Sequence, residues 1–171
     1  METDIVLEPA SIDDAESINS LINLAYRGQE GWTKETGIIV GERSSIEGVS
    51  KLIQNPKTHM FVATINSALA ACICVEEKEN QAYIGTFAVS PAFQNQGIGK
   101  RVLGLAEKYA VNQLGSKKLV MVVISQRAEL ISYYERRGYI RTGEISAYPV
   151  HLNVGIPAVE GLTIECLEKF T

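Results

Sequence analysis

The stretch that most constrains this chain runs from Tyr83 to Ala110: an apolar strand YIGTFAV, a turn SPAF, and then QNQGIGKRVLGLAEKYA. Gln94, Gly97 and Gly99 form Q-x-x-G-x-G at the point where a period of two gives way to a helical period, carried by Ile98, Val102, Leu105, Ala106 and Tyr109. A strand, loop and helix joined in this way present an anion site. Glycines lack a Cβ, so successive N–H groups can turn inward, and the helix start adds unpaired donors and the positive end of its dipole. The ligand that suits such a cradle is a pyrophosphate.

Two commoner phosphate loops fail here. A P-loop needs glycine where Gln94 stands and Ser or Thr after the lysine, where Arg101 follows Lys100. A dinucleotide fingerprint needs Gly or Ala at Val102 and opens near the start of its domain, not after eighty residues. What remains resembles the acyl-CoA loop of the GNAT family of N-acetyltransferases, whose signature is Q/R-x-x-G-x-G/A after a strand ending V-x-P. This chain matches it as Val89-Ser90-Pro91, then Gln94, Gly97 and Gly99.

The rest of the chain reads in the same order as that family. Thr3 to Glu8 alternates as a first strand, and Ser11 with Asp14 resembles a capping box opening a helix that carries Ala15, Ile18, Leu21, Ile22 and Ala25 on one face and ends near Gly28. GQEGWTKETGIIVGERSS reads as a long functional loop. A short helix over Ile46 to Ile53 stops before Pro56. Strands follow at His59 to Ile65, Ala68 to Glu76 and Tyr83 to Val89, an antiparallel meander. Lys118 to Ile124 is a continuous apolar run of the kind covered on both faces, parallel to its predecessor through the helix between them. A helix from Ala128 to Arg136, a strand from Tyr139, a lid-like segment between Gly143 and Gly161, and a strand from Leu162 to Phe170 complete it.

The resemblance implies an α/β (α+β mixed) GNAT fold in a single domain over residues 1–171. Its mixed, mostly antiparallel sheet would have about seven strands with about four helices, splayed between the fourth and fifth strands. Composition agrees with one ordinary domain: 21% charged and 46% apolar residues over 171 positions. A net charge of −4 argues against a nucleic-acid footprint, and no run approaches the ~18 apolar residues of a membrane span, so a cytoplasmic protein without nucleic-acid or membrane partners is expected. Three cysteines are an odd number, and Cys72 and Cys74 alternate onto one strand face as small buried residues. With only His59 and His151 besides, no metal site is expected.

Acyl transfer from a thioester to an amine needs a held thioester, an oxyanion donor, a neutral amine and a proton for the thiolate. The N–H groups from Gln96 to Arg101, with Gln94, Asn95, Gly97, Ile98, Gly99 and Lys100, are expected to cradle the pyrophosphate of acetyl-CoA, the implied cosubstrate. By resemblance, the main chain of Phe87, Ala88 and Val89 pairs with the pantetheine arm, and the Val89 N–H donates to the thioester oxygen. The helix AELISYYERRGY is similar to the family's LYEKLGF segment, which aligns Tyr134 with the family's tyrosine as acid; the adjacent Tyr133 is a rival. An asparagine that many relatives carry seven residues before this tyrosine is Arg127 here, which leaves Ser125 or Gln126 for its contact.

The base that many relatives carry on the strand before the loop is missing from Tyr83 to Val89, so Glu30, Glu35, Glu42 or His151 is left for it. The acceptor side is expected from Tyr26, Glu30, Trp32, Glu35, Arg43 and His151, with Arg141 as a further reader of polar groups. The implied activity is N-acetyl transfer, a transfer of groups other than aminoacyl groups, to a primary amine of a small molecule or peptide. A CoA-binding regulatory module with little catalysis, or use of another acyl group or an O-acceptor, is the alternative. The last strands offer edges at which two copies would pair.

Overall fold

Alternating apolar residues and tight turns build the middle of the molecule. The computed structural model describes residues 4–27, 39–152 and 154–171. In chain order its elements are β1 (Glu8–Pro9), a 3-10 turn at Ile12–Asp14, α1 (Ala15–Arg27), β2 (Ile39–Val40), α2 (Ile46–Gln54), β3 (Thr58–Ile65), β4 (Ala68–Lys78) and β5 (Gln81–Val89). There follow α3 (Ile98–Asn112), β6 (Lys118–Ile124), α4 (Ala128–Glu135), β7 (Ile140–Ala147), β8 (Ile156–Pro157) and β9 (Thr163–Phe170). Asn66 and Ser67, at φ 51° and 65°, join β3 to β4 as a two-residue hairpin whose positive φ values match the strand twist.

The main sheet has the order β1-β3-β4-β5-β6-β9-β7, mixed and mostly antiparallel, with β5 and β6 as its parallel pair. Its layers follow from the side-chain parity of the strands. Met60, Val62, Cys72, Cys74 and Ala88 face α1 and α2, where Ile18, Ile22 and Val49 are buried. Ile73, Val75, Ala82, Ile84, Leu119 and Met121 face α3 and α4 on the other side. Cys72 and Cys74 share one face as expected, and burial pushes both thiols up to about 12, which keeps them protonated.

Local signals place the helices. Ser11 donates both its N–H, at 2.8 Å, and its hydroxyl to the Asp14 carboxylate, and the Ser45 side chain caps α2 by accepting from the Gly48 N–H at 3.0 Å. Beyond α4, Gly138 takes φ 96°, and the Tyr139 N–H returns to the Tyr134 carbonyl. Among the described residues no helix is long and apolar enough to cross a membrane.

Three readings of the sequence are corrected. The first strand is Glu8–Pro9, since among the described residues only these pair with β3; Thr3 lies outside the described residues. The run in β6 is covered in full on one face only: Leu119, Met121 and Val123 are buried there, whereas on the other face Val120 is half-buried, Val122 is exposed and Ile124 is buried against Ile39 and Leu162. Residues read wholly as loop and lid contribute β2 and β8, which pair as a separate two-stranded sheet. Two-residue strands carry no periodicity to detect.

Arg141, expected to read an acceptor, is instead tied to the buried Glu165 by two hydrogen bonds, from Nε at 2.5 Å and Nη2 at 2.9 Å. Those bonds hold the Glu165 carboxyl below its usual range. A carboxylate depressed in the folded state stabilises above its unfolded pKa and loses that contribution as pH falls through the folded value. Arg141→Met should therefore melt below wild type near neutral pH. In melts taken from about pH 5 downward the difference should shrink as Glu165 is protonated.

Candidate active site

The site begins where the sheet opens. β5 pairs with β6 only from Gln81 to Tyr83, against Lys118 to Val120, and the rest of β5 has one edge without a strand. A bulge adjusts that edge: Cys74 pairs with Gly85 and Cys72 with Ala88, so Thr86 and Phe87 together face Ile73. The extra residue reverses side-chain parity. Ala88 therefore points into the α1 and α2 layer, while Phe87 and Val89 turn toward α3. Thr86 takes φ 48° to make the bulge.

Backbone groups follow the same logic. The Ser90 N–H bonds to Ala70 on the paired side, at 2.7 Å. On the open side the Phe87 carbonyl accepts from the Tyr26 hydroxyl at 2.8 Å, and the Val89 carbonyl accepts from the Gln94 side chain at 3.0 Å. Within a strand the N–H and C=O of one residue point the same way, so the N–H groups of Phe87 and Val89 also face the opening. That opening is a cavity of about 410 Å³, walled by β5, the start of α3 and one face of α4.

The loop that enters α3 supplies the end of the cavity that carries free N–H donors and the Lys100 cation. Asn95 at φ 63° and Gly97 at φ 75° bend the chain so that α3 starts at Ile98, and the first helical bond runs from the Arg101 N–H to the Gly97 carbonyl. The N–H groups of Ile98, Gly99 and Lys100 thus precede any helical acceptor. Gln94, Asn95, Gly97, Ile98, Gly99 and Lys100 line the cavity, whereas Gln96 and Arg101 do not. The exposed Gln96 side chain donates to the Ala92 carbonyl. A Cβ on Gly99 would lie 3.2 Å from the Tyr133 hydroxyl and 3.4 Å from Val89, so a larger residue there would intrude between the loop and α4.

Helix α4 forms the opposite wall. Arg127 precedes it, and with Leu130, Tyr134 and Arg137 it forms a stripe at spacings of three and four that lines the cavity. Tyr134 is buried, its ring edge-on to Tyr133 at 5.4 Å and to Tyr139 at 6.0 Å. Burial raises the Tyr134 pKa, as do the nearby Tyr26 and Tyr133, while Arg127 and Arg137 pull it back. It is a neutral phenol at physiological pH, able to donate a proton. Tyr133 also reaches the cavity, over Gly99, with the Arg137 guanidinium 3.6 Å from its ring centre. The two tyrosines share the wall: Tyr133 is at the loop and Tyr134 toward Tyr26 and Arg127.

Other expected residues lie elsewhere. The Ser125 hydroxyl accepts from Thr163 at 2.8 Å and Gln126 bonds to Gly161 and Thr163, so both turn toward β9, and Arg127 takes the cavity position. Tyr26 lines the cavity and Arg43 stacks over its ring at 5.3 Å. His151 sits exposed on the 3-10 turn Val150–Leu152. Glu30, Trp32 and Glu35 lie outside the described residues. Phe93, Arg136 and Arg137 went unread in the sequence, although Arg137 follows Tyr134 at the spacing that would have pointed to it.

The donors and cations at one end, the open strand edge in the middle and the phenol at the other end suit an elongated ligand with an anionic terminus, as acetyl-CoA is. Two glycine variants separate backbone shape from cavity space. Gly97→Ala meets no neighbour but must hold a positive φ, and should cost about 1 kcal/mol in chemical denaturation. Gly99→Val should leave the melting curve close to wild type and weaken acetyl-CoA binding at least about tenfold by calorimetry, a loss of about 1.4 kcal/mol.

The model of the Acetyltransferase (GNAT) family matches residues 18–139. Over 150 residues the chain is 29% identical to a protein described as the uncharacterized N-acetyltransferase YesJ of Bacillus subtilis strain 168, covering 77% of this chain and 79% of that protein. The fold is similar to that of PaiA N-acetyltransferase from Thermoplasma acidophilum in complex with coenzyme A, with a TM-score of 0.73, 19% identity and coverage of 99% of this chain and 100% of that one. It is also similar to a GNAT family acetyltransferase from Elizabethkingia anophelis with acetyl-CoA bound, with a TM-score of 0.71, 20% identity and coverage of 99% and 100%. The open strand edge, the glycine loop at the head of α3 and a family match spanning both place this chain in the GNAT family of acetyltransferases, as an acetyl-CoA-dependent N-acetyltransferase.

Proposed function

We propose that this N-acetyltransferase moves the acetyl group directly from the CoA thioester to a primary amine of a small molecule or peptide, with Tyr134 as the acid that protonates the departing thiolate. The observation that carries the reading is the convergence of the free β5 edge, the start of α3 and Tyr134 on one cavity. The N–H groups of Ile98 to Lys100 meet the pyrophosphate, and Lys100, Arg136 and Arg137 add positive charge. The β5 edge pairs with the pantetheine arm. A backbone donor fixed at Val89 stabilises the developing oxyanion, an effect worth about 3 kcal/mol in other enzymes.

Tyr134 suits the acid role through both its placement and its protonation. A thiol titrates near 8.5 and an ordinary phenol near 10, so a phenol held above its usual value stays protonated until the thiolate forms. Arg127, just before α4 and on the same cavity wall, pulls the Tyr134 pKa down and so eases the proton's departure. The acceptor arrives from the side of Tyr26 and Arg43.

Calorimetry with acetyl-CoA, followed by a thiol-release assay on a panel of amines, tests the reading. Tyr134→Phe should bind acetyl-CoA like wild type and turn over about a hundredfold more slowly. A variant as fast as wild type would remove Tyr134 from the mechanism, and tight binding without release on any amine would favour a CoA-binding module instead.

A further inference from the structure

The β5 strand carries no carboxylate, yet the sheet register brings one beside it. Glu76 on β4 is the direct partner of Tyr83, which in turn pairs with Val120, and Val120 with Glu168 on β9. Direct partners project from the same face of a sheet. Glu76, Tyr83 and Glu168 therefore form one row, on the face that also carries Cys74 and points toward α1 and α2.

Tyr83 does not stand upright in that row. A Cβ placed on Gly85 would fall 2.7 Å from the Tyr83 ring, closer than real Cβ contacts come. The ring thus lies along β5 over Gly85, directed toward the part of the strand that has left β6. Gly85 does not have a positive φ, so the glycine serves to leave room for the ring rather than to permit an unusual backbone. Beyond it, the Tyr26 hydroxyl holds the Phe87 carbonyl and Arg43 covers the Tyr26 ring.

The titratable groups near enough to influence the Tyr83 hydroxyl come from several elements. They are Tyr26 from α1, Arg43 from the segment before α2, Glu76 from β4 and Cys166 from β9, and burial keeps the phenol protonated. Glu76 is partly exposed, with Lys78 at 3.8 Å as its ion-pair partner and Cys74 and Thr58 as neighbours on the same face. Its carboxylate is open to solvent.

We propose that Tyr83 and Glu76 form the acceptor seat and the basic side of the reaction, in which Tyr83 accepts an N–H from the incoming alkylammonium and Glu76 takes the proton it must lose. The steps balance. One ammonium proton passes to the Glu76 carboxylate and from there to water, and the freed nitrogen pair forms the N–C bond. The C–S bond breaks as the thiolate takes a proton from Tyr134, and the second N–H proton is released as the amide forms and restores the phenol through solvent. The substrate class is a cationic primary amine, which arrives charged and must be neutralised in place. The inference rests on the direct-transfer reading above.

The test compares wild type, Glu76→Gln, Tyr83→Phe and Gly85→Ala. Calorimetry with acetyl-CoA is followed by kcat/KM against pH for an alkyl monoamine, a diamine and a free-N-terminal peptide. Glu76→Gln should bind acetyl-CoA normally and lose about a hundredfold in kcat/KM at neutral pH. Its rate should then rise about tenfold per pH unit toward the amine's own pKa of about 10, where a base is no longer needed. Tyr83→Phe should raise KM for the amine about tenfold with a smaller change in kcat. Gly85→Ala, which displaces the ring and leaves Glu76 intact, should lose activity with Tyr83→Phe. Wild-type turnover matched in rate and pH profile by Glu76→Gln and Tyr83→Phe would overturn the seat and leave direct transfer standing. No release by wild type from any of the three amines would overturn both.

Discussion

The whole site depends on one geometric constraint: β5 and β6 stay together for three residue pairs and then separate. Parallel strands in a covered sheet normally satisfy each other's backbone groups along their length. Here the parting leaves the Phe87 and Val89 carbonyls to the Tyr26 and Gln94 side chains and turns β5 N–H donors toward the gap. The bulge at Thr86 and Phe87 decides which ones, and the parity change turns apolar side chains toward α3 while main-chain polar groups look into the gap. Neither α3 nor α4 closes the gap. Each contributes one end of its helix or one face to the walls.

Holding α4 at the right distance is a separate problem, solved by Tyr139. Its ring is fully buried, and its hydroxyl donates to Glu107 on α3 at 2.8 Å, while Lys169 on β9 pairs with the same carboxylate at 3.2 Å. Three elements thus meet at Glu107. Burial and the neighbouring carboxylate keep the Tyr139 phenol protonated, so it remains a donor. Tyr134 packs edge-on against this anchored ring and its carbonyl accepts from the Tyr139 N–H, so its position follows from the structural tyrosine five residues later.

Much of this could be read in the sequence where a local rule operates. The Q-x-x-G-x-G loop at the head of a helical period pointed to the glycine turn that opens α3 beside the cavity, because glycine spacing and periodicity are local properties. The hairpin at Asn66-Ser67 and the stop at Gly138 were legible for the same reason. What escaped depends on register and parity. Nothing in YIGTFAV announces the bulge at Thr86, and without it the faces of Phe87 and Ala88 are assigned the wrong way round. Arg141 looked like an acceptor contact because its partner, Glu165, is 24 residues away on a strand that enters the sheet out of order. Ser125 seemed to face the cofactor until β9 placed Thr163 beside it.

The segment that leads from α1 to α2 is fastened at both of its ends. At one end Arg27 donates to the Tyr148 hydroxyl and the Val154 carbonyl. At the other, the Asn23 side chain accepts from the Arg43 N–H at 2.7 Å and donates to the Ser44 carbonyl at 3.2 Å. Both clamps belong to α1, which is itself packed on the sheet. The Tyr26 and Arg43 side of the cavity is therefore tied to the same helix that packs on the sheet beneath β5. Asn23 and Arg27 flank Tyr26 on that helix and do not line the cavity, so a change at either would loosen this side while β5, α3 and α4 keep their places.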